Sequence, residues 1–220
     1  MNDVHRAMGK PMDLELYAPM FRHKDGLLSG DISPSYCAMP EHQIEKVMAR
    51  FPNLKVIMLI RDPVSRAWSH FQMRYRTRIL DNNLLHDISE FREWFIDSRG
   101  LRTGLPGTFA KTWMDYVPPK QFEFFFFEDL QSDPEGLKRS IFRFLGADPT
   151  KPSEIDASLN RKDRPKIEMS DQLRTFLAKQ FSDELRVCAT VFGGHATKWP
   201  EKYDLKRVRK GSFTAVRSSR

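Results

Sequence analysis

Between Lys55 and Arg61 the chain runs Val56-Ile57-Met58-Leu59-Ile60 without a polar residue. A run of that length and character predicts a strand buried on both faces of a parallel sheet. The period then changes. Val64, Ala67, Trp68, Phe71, Tyr75 and Ile79 recur at helical spacing, which predicts a helix from Pro63 to near Leu80 with that stripe against the sheet and Ser65, Ser69, Gln72 and Arg76 flanking it. Asp62-Pro63 supplies its start, because the carboxylate accepts orphan backbone N–H groups and proline needs no such partner.

The same reading extends along the chain. Leu14, Leu16, Tyr17 and Phe21 mark a short helix with inward side chains, Leu27 to Ile32 a short strand, and Ile44, Val47, Met48 and Phe51 one face of a helix from Pro40 to Phe51. Strand, helix and central strand make a β-α-β unit. Ile88, Phe91, Trp94 and Phe95 predict a further packed helix. Gln121 to Phe127 is too apolar to tolerate water on either face and predicts another strand, closed by Glu128-Asp129-Leu130. Asp133-Pro134 opens a helix with Leu137, Ile141, Phe144 and Leu145 inward, ending at Gly146. A last helix starts near Asp171, buries Leu173, Phe176, Leu177, Phe181, Leu185, Cys188 and Phe192, and closes at Gly193-Gly194.

Composition bounds the function. A chain of 220 residues with 40% hydrophobic content supports one core, so residues 1–205 are expected to form a single domain, with the basic segment 206–220 as a disordered tail. Cys37 and Cys188 stand far apart, against a disulfide scaffold or a zinc site, and fit a reducing compartment. No apolar run reaches the roughly 20 residues of a membrane span, and Met1 to Lys10 lacks a signal-peptide core, so a cytoplasmic protein is expected. Gly9-Lys10 has neither the preceding strand nor the first glycine of a phosphate loop. The net charge of +7 favours anionic partners without choosing among nucleotides, acidic substrates, nucleic acid and anionic lipid.

The strand-to-helix junction narrows the choice. Arg61 at the strand's carboxyl end and Ser69 two turns into the helix approach one crevice, where open α/β sheets bind ligands. Asp62 at the helix head repels anions there, so an anion would be held by Arg61 and Ser69 and not by the helix dipole. Against this stands the ordinary alternative of a surface ion pair at Arg61 and a solvated Ser69.

The segment R-D-P-V-S-R-A-W-S-H-F, Arg61 to Phe71, resembles the 3'-phosphate-binding segment of sulfotransferases that use 3'-phosphoadenosine 5'-phosphosulfate (PAPS), whose pattern is R-[DN]-P-x-x-R-x-x-S-x-[YF]. GDISPSY, residues 30–36, is similar to the G-E-x-S-P-x-Y segment of bacterial members, with Asp31 in place of glutamate. G-T-F-A-K-T-W, residues 107–113, loosely matches a G-x-Y…W region; Glu128-Asp129-Leu130 and the late Trp199 also have counterparts.

The resemblance implies a three-layer, P-loop-kinase-like α/β fold with a central parallel sheet, and in-line transfer of a sulfuryl group from PAPS to a hydroxyl or amine without a metal. It implies that Arg61 and Ser69 bind the 3'-phosphate, and that Arg161 and Lys162 in the basic loop Leu159 to Lys166 contact the nucleotide. Asp31 would orient the acceptor hydroxyl or take its proton, or else cap the following turn. The family's first strand and its lysine-bearing 5'-phosphosulfate loop have no counterpart here, so a truncated start is expected. The partner is a small-molecule or carbohydrate acceptor of unreadable identity, with no membrane. A noncatalytic nucleotide-binding remnant and, last, a nucleic-acid-binding protein are the alternatives; oligomeric state stays open.

Overall fold

The computed structural model describes residues 13–21, 27–76, 88–96, 101, 104–152 and 167–205. In chain order the elements are α1 (Leu14–Tyr17), α2 (Glu41–Arg50), β1 (Val56–Ile60), α3 (Pro63–Arg76), α4 (Ile88–Ile96), α5 (Pro106–Tyr116), β2 (Phe122–Phe126), α6 (Phe127–Ser132), α7 (Pro134–Leu145), α8 (Asp171–Gln180), α9 (Ser182–Phe192) and α10 (Trp199–Lys202), with single 3-10 turns between some of them. The two strands pair in parallel, Val56 opposite Phe122 through Ile60 opposite Phe126. A parallel pair needs a crossover, and its described part holds α3, α4 and α5. The fold is therefore helix-rich α/β.

Helix α3 buries the predicted stripe: Val64 and Phe71 are inaccessible, and Ala67 and Trp68 nearly so. Ile79 lies outside the described residues. From Phe71 the core continues as a chain of rings. Phe71 meets Phe91 edge-on at 5.0 Å, Phe91 stacks on Phe95 at 5.8 Å, and Phe95 meets Phe176 and Phe181 edge-on at 6.0 Å each. Aromatic pairs at such separations add roughly 0.5–1.5 kcal/mol each beyond their area burial.

Helix ends are satisfied as the sequence predicts, with one addition. Asp133 accepts from Gly136 N at 2.8 Å, and Gly146 ends α7 at φ 80°, a left-handed conformation natural to glycine. Helix α5 has no cap of its own. The buried Glu184 of α9 caps it instead, accepting from Gly107 N at 2.6 Å and from Thr108 N at 3.2 Å and Thr108 Oγ1 at 2.6 Å.

Five expectations are corrected. Leu27 to Ile32 forms no strand; Leu27, Leu28 and Ile32 are exposed, and without a partner strand their backbone has no ladder to join. The parallel pair is accordingly β1 with β2, and Leu27 to Ile32 belongs to no β-α-β unit. The strands are not covered on both faces: Leu59 is 51% exposed and most of β2 is half-buried. The last helix is two, because Phe181 (φ −99°, ψ 12°) breaks the ladder while its ring stays buried. Leu16 is exposed, not inward. Among the described residues, no helix is long and apolar enough to cross a membrane.

Candidate active site

Strand register builds the site. Ile60 is paired with Phe126, so the residues that follow, Arg61 and Phe127, leave the sheet side by side at its carboxyl end. The Arg61 guanidinium lies over the Phe127 ring, 4.5 Å from its centroid. It makes no hydrogen bond or ion pair among the described residues, although the charges of Asp62 and Glu128 act on it. Burial lowers its pKa, the mark of a cation held partly out of water.

A second guanidinium stands close. Arg66, one turn into α3, is also depressed, first by burial and then by the positive charge of Arg61. A half-desolvated guanidinium at Arg61, with no carboxylate partner among the described residues, favours an anion there, and the Arg66 charge adds to the local positive field.

The carboxylates nearby are held by other donors. Asp62 is buried and caps α3, accepting from Val64 N at 2.9 Å and Ser65 N at 3.3 Å, while its other oxygen takes the Ser65 hydroxyl at 3.0 Å, Lys202 Nζ at 2.8 Å and the Tyr203 hydroxyl. Burial and the Asp62 charge push the Tyr203 phenol far up. Glu128 accepts from the Trp199 indole N–H at 2.9 Å on Oε1, and its Oε2 is buried without a hydrogen-bond partner among the described residues. His195 pairs with Asp129 at 3.0 Å at the rim. Gly194 makes room for this corner: at φ 47° it approaches Phe126 so closely that a Cβ would lie 3.1 Å from the ring.

Ser69 is exposed on α3, on the same strand-helix unit as Arg61, and no contact joins the two. Its neighbours Trp68 and Gln72 both donate to the Ile167 carbonyl, at 3.1 and 2.9 Å, and so tie residue 167 to α3. Arg161 and Lys162 lie outside the described residues.

Asp31 sits in the irregular segment and accepts the hydroxyls of Tyr17, at 2.7 Å, and Tyr36 on the same oxygen. The Tyr36 hydrogen bond, more than the Tyr17 one, holds its pKa below the usual carboxylate range against opposing burial. Both phenols are raised, burial being the larger cause. In the following turn the Ser33 hydroxyl accepts from Ser35 N at 3.3 Å, while the backbone of Ile32 donates to Asp31.

Sequence reasoning missed Tyr17, Tyr36, Glu128, Trp199, Lys202 and Tyr203 as parts of this region. Tyr36, Glu128 and Trp199 fell within recognised segments. Lys202 and Tyr203 left no signal, because their partner Asp62 is 140 and 141 residues away.

The family model of the sulfotransferase domain matches residues 36–174, a span that holds Arg61, Arg66, Ser69 and Glu128 and leaves out Asp31 and Lys202. No curated protein matches the chain. Among solved structures, a crystal structure of a sulfotransferase from Alicyclobacillus acidocaldarius is similar at a TM-score of 0.65 and 21% identity, covering 88% of this chain and 77% of that one. Likeness at that identity concerns the fold.

Proposed function

The chain belongs to the sulfotransferase domain family, and from that premise we propose that its donor is PAPS, with Arg61 binding the 3'-phosphate and a hydroxyl or amine as acceptor. The observation that carries this reading is the Arg61 guanidinium. It is half-desolvated at the carboxyl end of β1, lies over the Phe127 ring and has no hydrogen-bond or ion-pair partner among the described residues, with the Arg66 charge nearby. A dianionic phosphate ester fits that donor set, because a planar guanidinium offers two parallel N–H groups to it. PAPS, when bound, supplies the sulfuryl group.

The chain's own residues do the rest. Arg61 and Arg66 concentrate positive charge at the sheet end, with Arg61 the phosphate ligand. Ser69 adds a hydroxyl donor on the exposed side of α3, and Arg161 and Lys162, a few residues before Ile167 in sequence, add positive charge for the nucleotide. Asp31 orients the acceptor; two tyrosine hydroxyls make it a weak base, so it acts through its hydrogen-bonding oxygen more than by taking a proton. The acceptor is a small molecule or carbohydrate.

The test is turnover. The chain is incubated with PAPS and a panel of phenol, alcohol, carbohydrate and amine acceptors, and products are read by mass spectrometry. A mass gain of one sulfuryl group on an acceptor, dependent on Arg61, is expected. Sulfated product that forms equally well with Arg61→Ala would overturn the assignment of the phosphate site.

A further inference from the structure

Arg61 lies in the field of two carboxylates, Asp62 and Glu128, yet pairs with neither. Each acid takes a donor from one short element, although Glu128 Oε2 has no hydrogen-bond partner among the described residues. Helix α10 sends the Trp199 indole N–H to Glu128 at 2.9 Å and Lys202 Nζ to Asp62 at 2.8 Å, and the Tyr203 hydroxyl follows onto Asp62. Of the five donors on Asp62 among the described residues, Lys202 is the one that carries a full positive charge. Its side chain is 48% exposed against 3% for Asp62, so it closes the carboxylate from the solvent side, and it also reaches Ser65 Oγ at 3.2 Å.

A buried carboxylate next in sequence to a phosphate-binding arginine works against that arginine twice: it repels the phosphate and offers the guanidinium a competing partner. We infer that Lys202 is a positioning residue for nucleotide binding, which neutralises Asp62 and thereby keeps Arg61 unpaired and available to the anion. This rests on Arg61 being the phosphate ligand. Lys202 acts through Asp62, and the Tyr203 hydroxyl and Trp199 hold the helix from which it reaches.

The experiment is calorimetric titration of the full chain with two ligands, adenosine 3',5'-bisphosphate and adenosine 5'-monophosphate, which lacks the 3'-phosphate. Lys202→Met is expected to weaken the bisphosphate by about tenfold and the monophosphate by less than about twofold, as loss of one charge near an ion pair does. Lys202→Arg keeps wild-type affinity. The double variant Asp62→Asn with Lys202→Met regains it to within about twofold, since asparagine still caps the helix and no charge is left to neutralise.

Three results would overturn the inference: unchanged bisphosphate affinity in Lys202→Met, equal weakening of both ligands, or a double variant as weak as the single one, which would put Lys202 directly on the phosphate. Arg61→Ala, titrated in parallel, separates the two levels. If it weakens bisphosphate binding while Lys202→Met does not, the role of Lys202 fails and the phosphate site stands; if neither matters, both fail. Circular dichroism checks each fold, and Lys202→Gln replaces Lys202→Met should the latter not fold.

Discussion

Arg61 and Phe127 are the first residues beyond the paired strands, and the guanidinium of one lies 4.5 Å over the ring of the other. The ring fixes the plane of the guanidinium without using any of its five N–H groups, so the whole fork stays available. Phe127→Leu keeps apolar bulk and removes the platform. It is expected to weaken adenosine 3',5'-bisphosphate binding by roughly threefold to tenfold, the worth of a partly desolvated cation-π contact, with the unfolding midpoint little changed. Titration and a urea melt read the two quantities.

Glu184 ties α9 to the start of α5 through three hydrogen bonds from Gly107 and Thr108. Glu184→Ala strands those donors in the core and is expected to cost about 2–4 kcal/mol, between the loss of a helix cap and of a buried charged acceptor. Urea denaturation at an unchanged m-value checks it.

The Asp31 carboxyl gives a pH prediction. Its folded pKa lies below the ordinary value, first because of the Tyr36 hydroxyl. A depressed acid contributes stability that is present above its unfolded pKa of about 3.9 and lost as pH falls through the lower folded value. Tyr36→Phe is expected to move the Asp31 titration upward, toward the ordinary range. Carbon-detected NMR of the carboxyl group follows it directly; an unmoved midpoint would assign the depression to another partner.

Gly194 allows a further check. A side chain there meets both an unfavourable φ of 47° and the Phe126 ring at 3.1 Å. Gly194→Ala is expected to destabilise by about 1–3 kcal/mol, read as a lower thermal midpoint.

The legible parts of this chain were local. The Asp62 cap, the stripe on α3, the Asp133 cap and the Gly146 stop each depend on residues a turn or two apart, and pattern reads such contacts. Leu27 to Ile32 looked like a strand because three apolar residues sat between turn residues, but strand formation needs a neighbour, and neighbours are not a local property. Phe181 kept the helical spacing through a break that only its backbone angles reveal. The position of Arg61 at a strand end was legible; its neighbour Phe127, and the Lys202 and Trp199 that hold Asp62 and Glu128, were not, since parallel register and a returning carboxyl-terminal turn bring them there from far along the chain.

The central claim is that Arg61 grips the 3'-phosphate of a nucleotide. Its most direct measurement is equilibrium titration of the wild-type chain and Arg61→Ala with adenosine 3',5'-bisphosphate. Saturable wild-type binding that Arg61→Ala weakens by about tenfold to a hundredfold, the worth of a charge-assisted hydrogen-bond pair, is the predicted result. Equal affinity in the two proteins would contradict it.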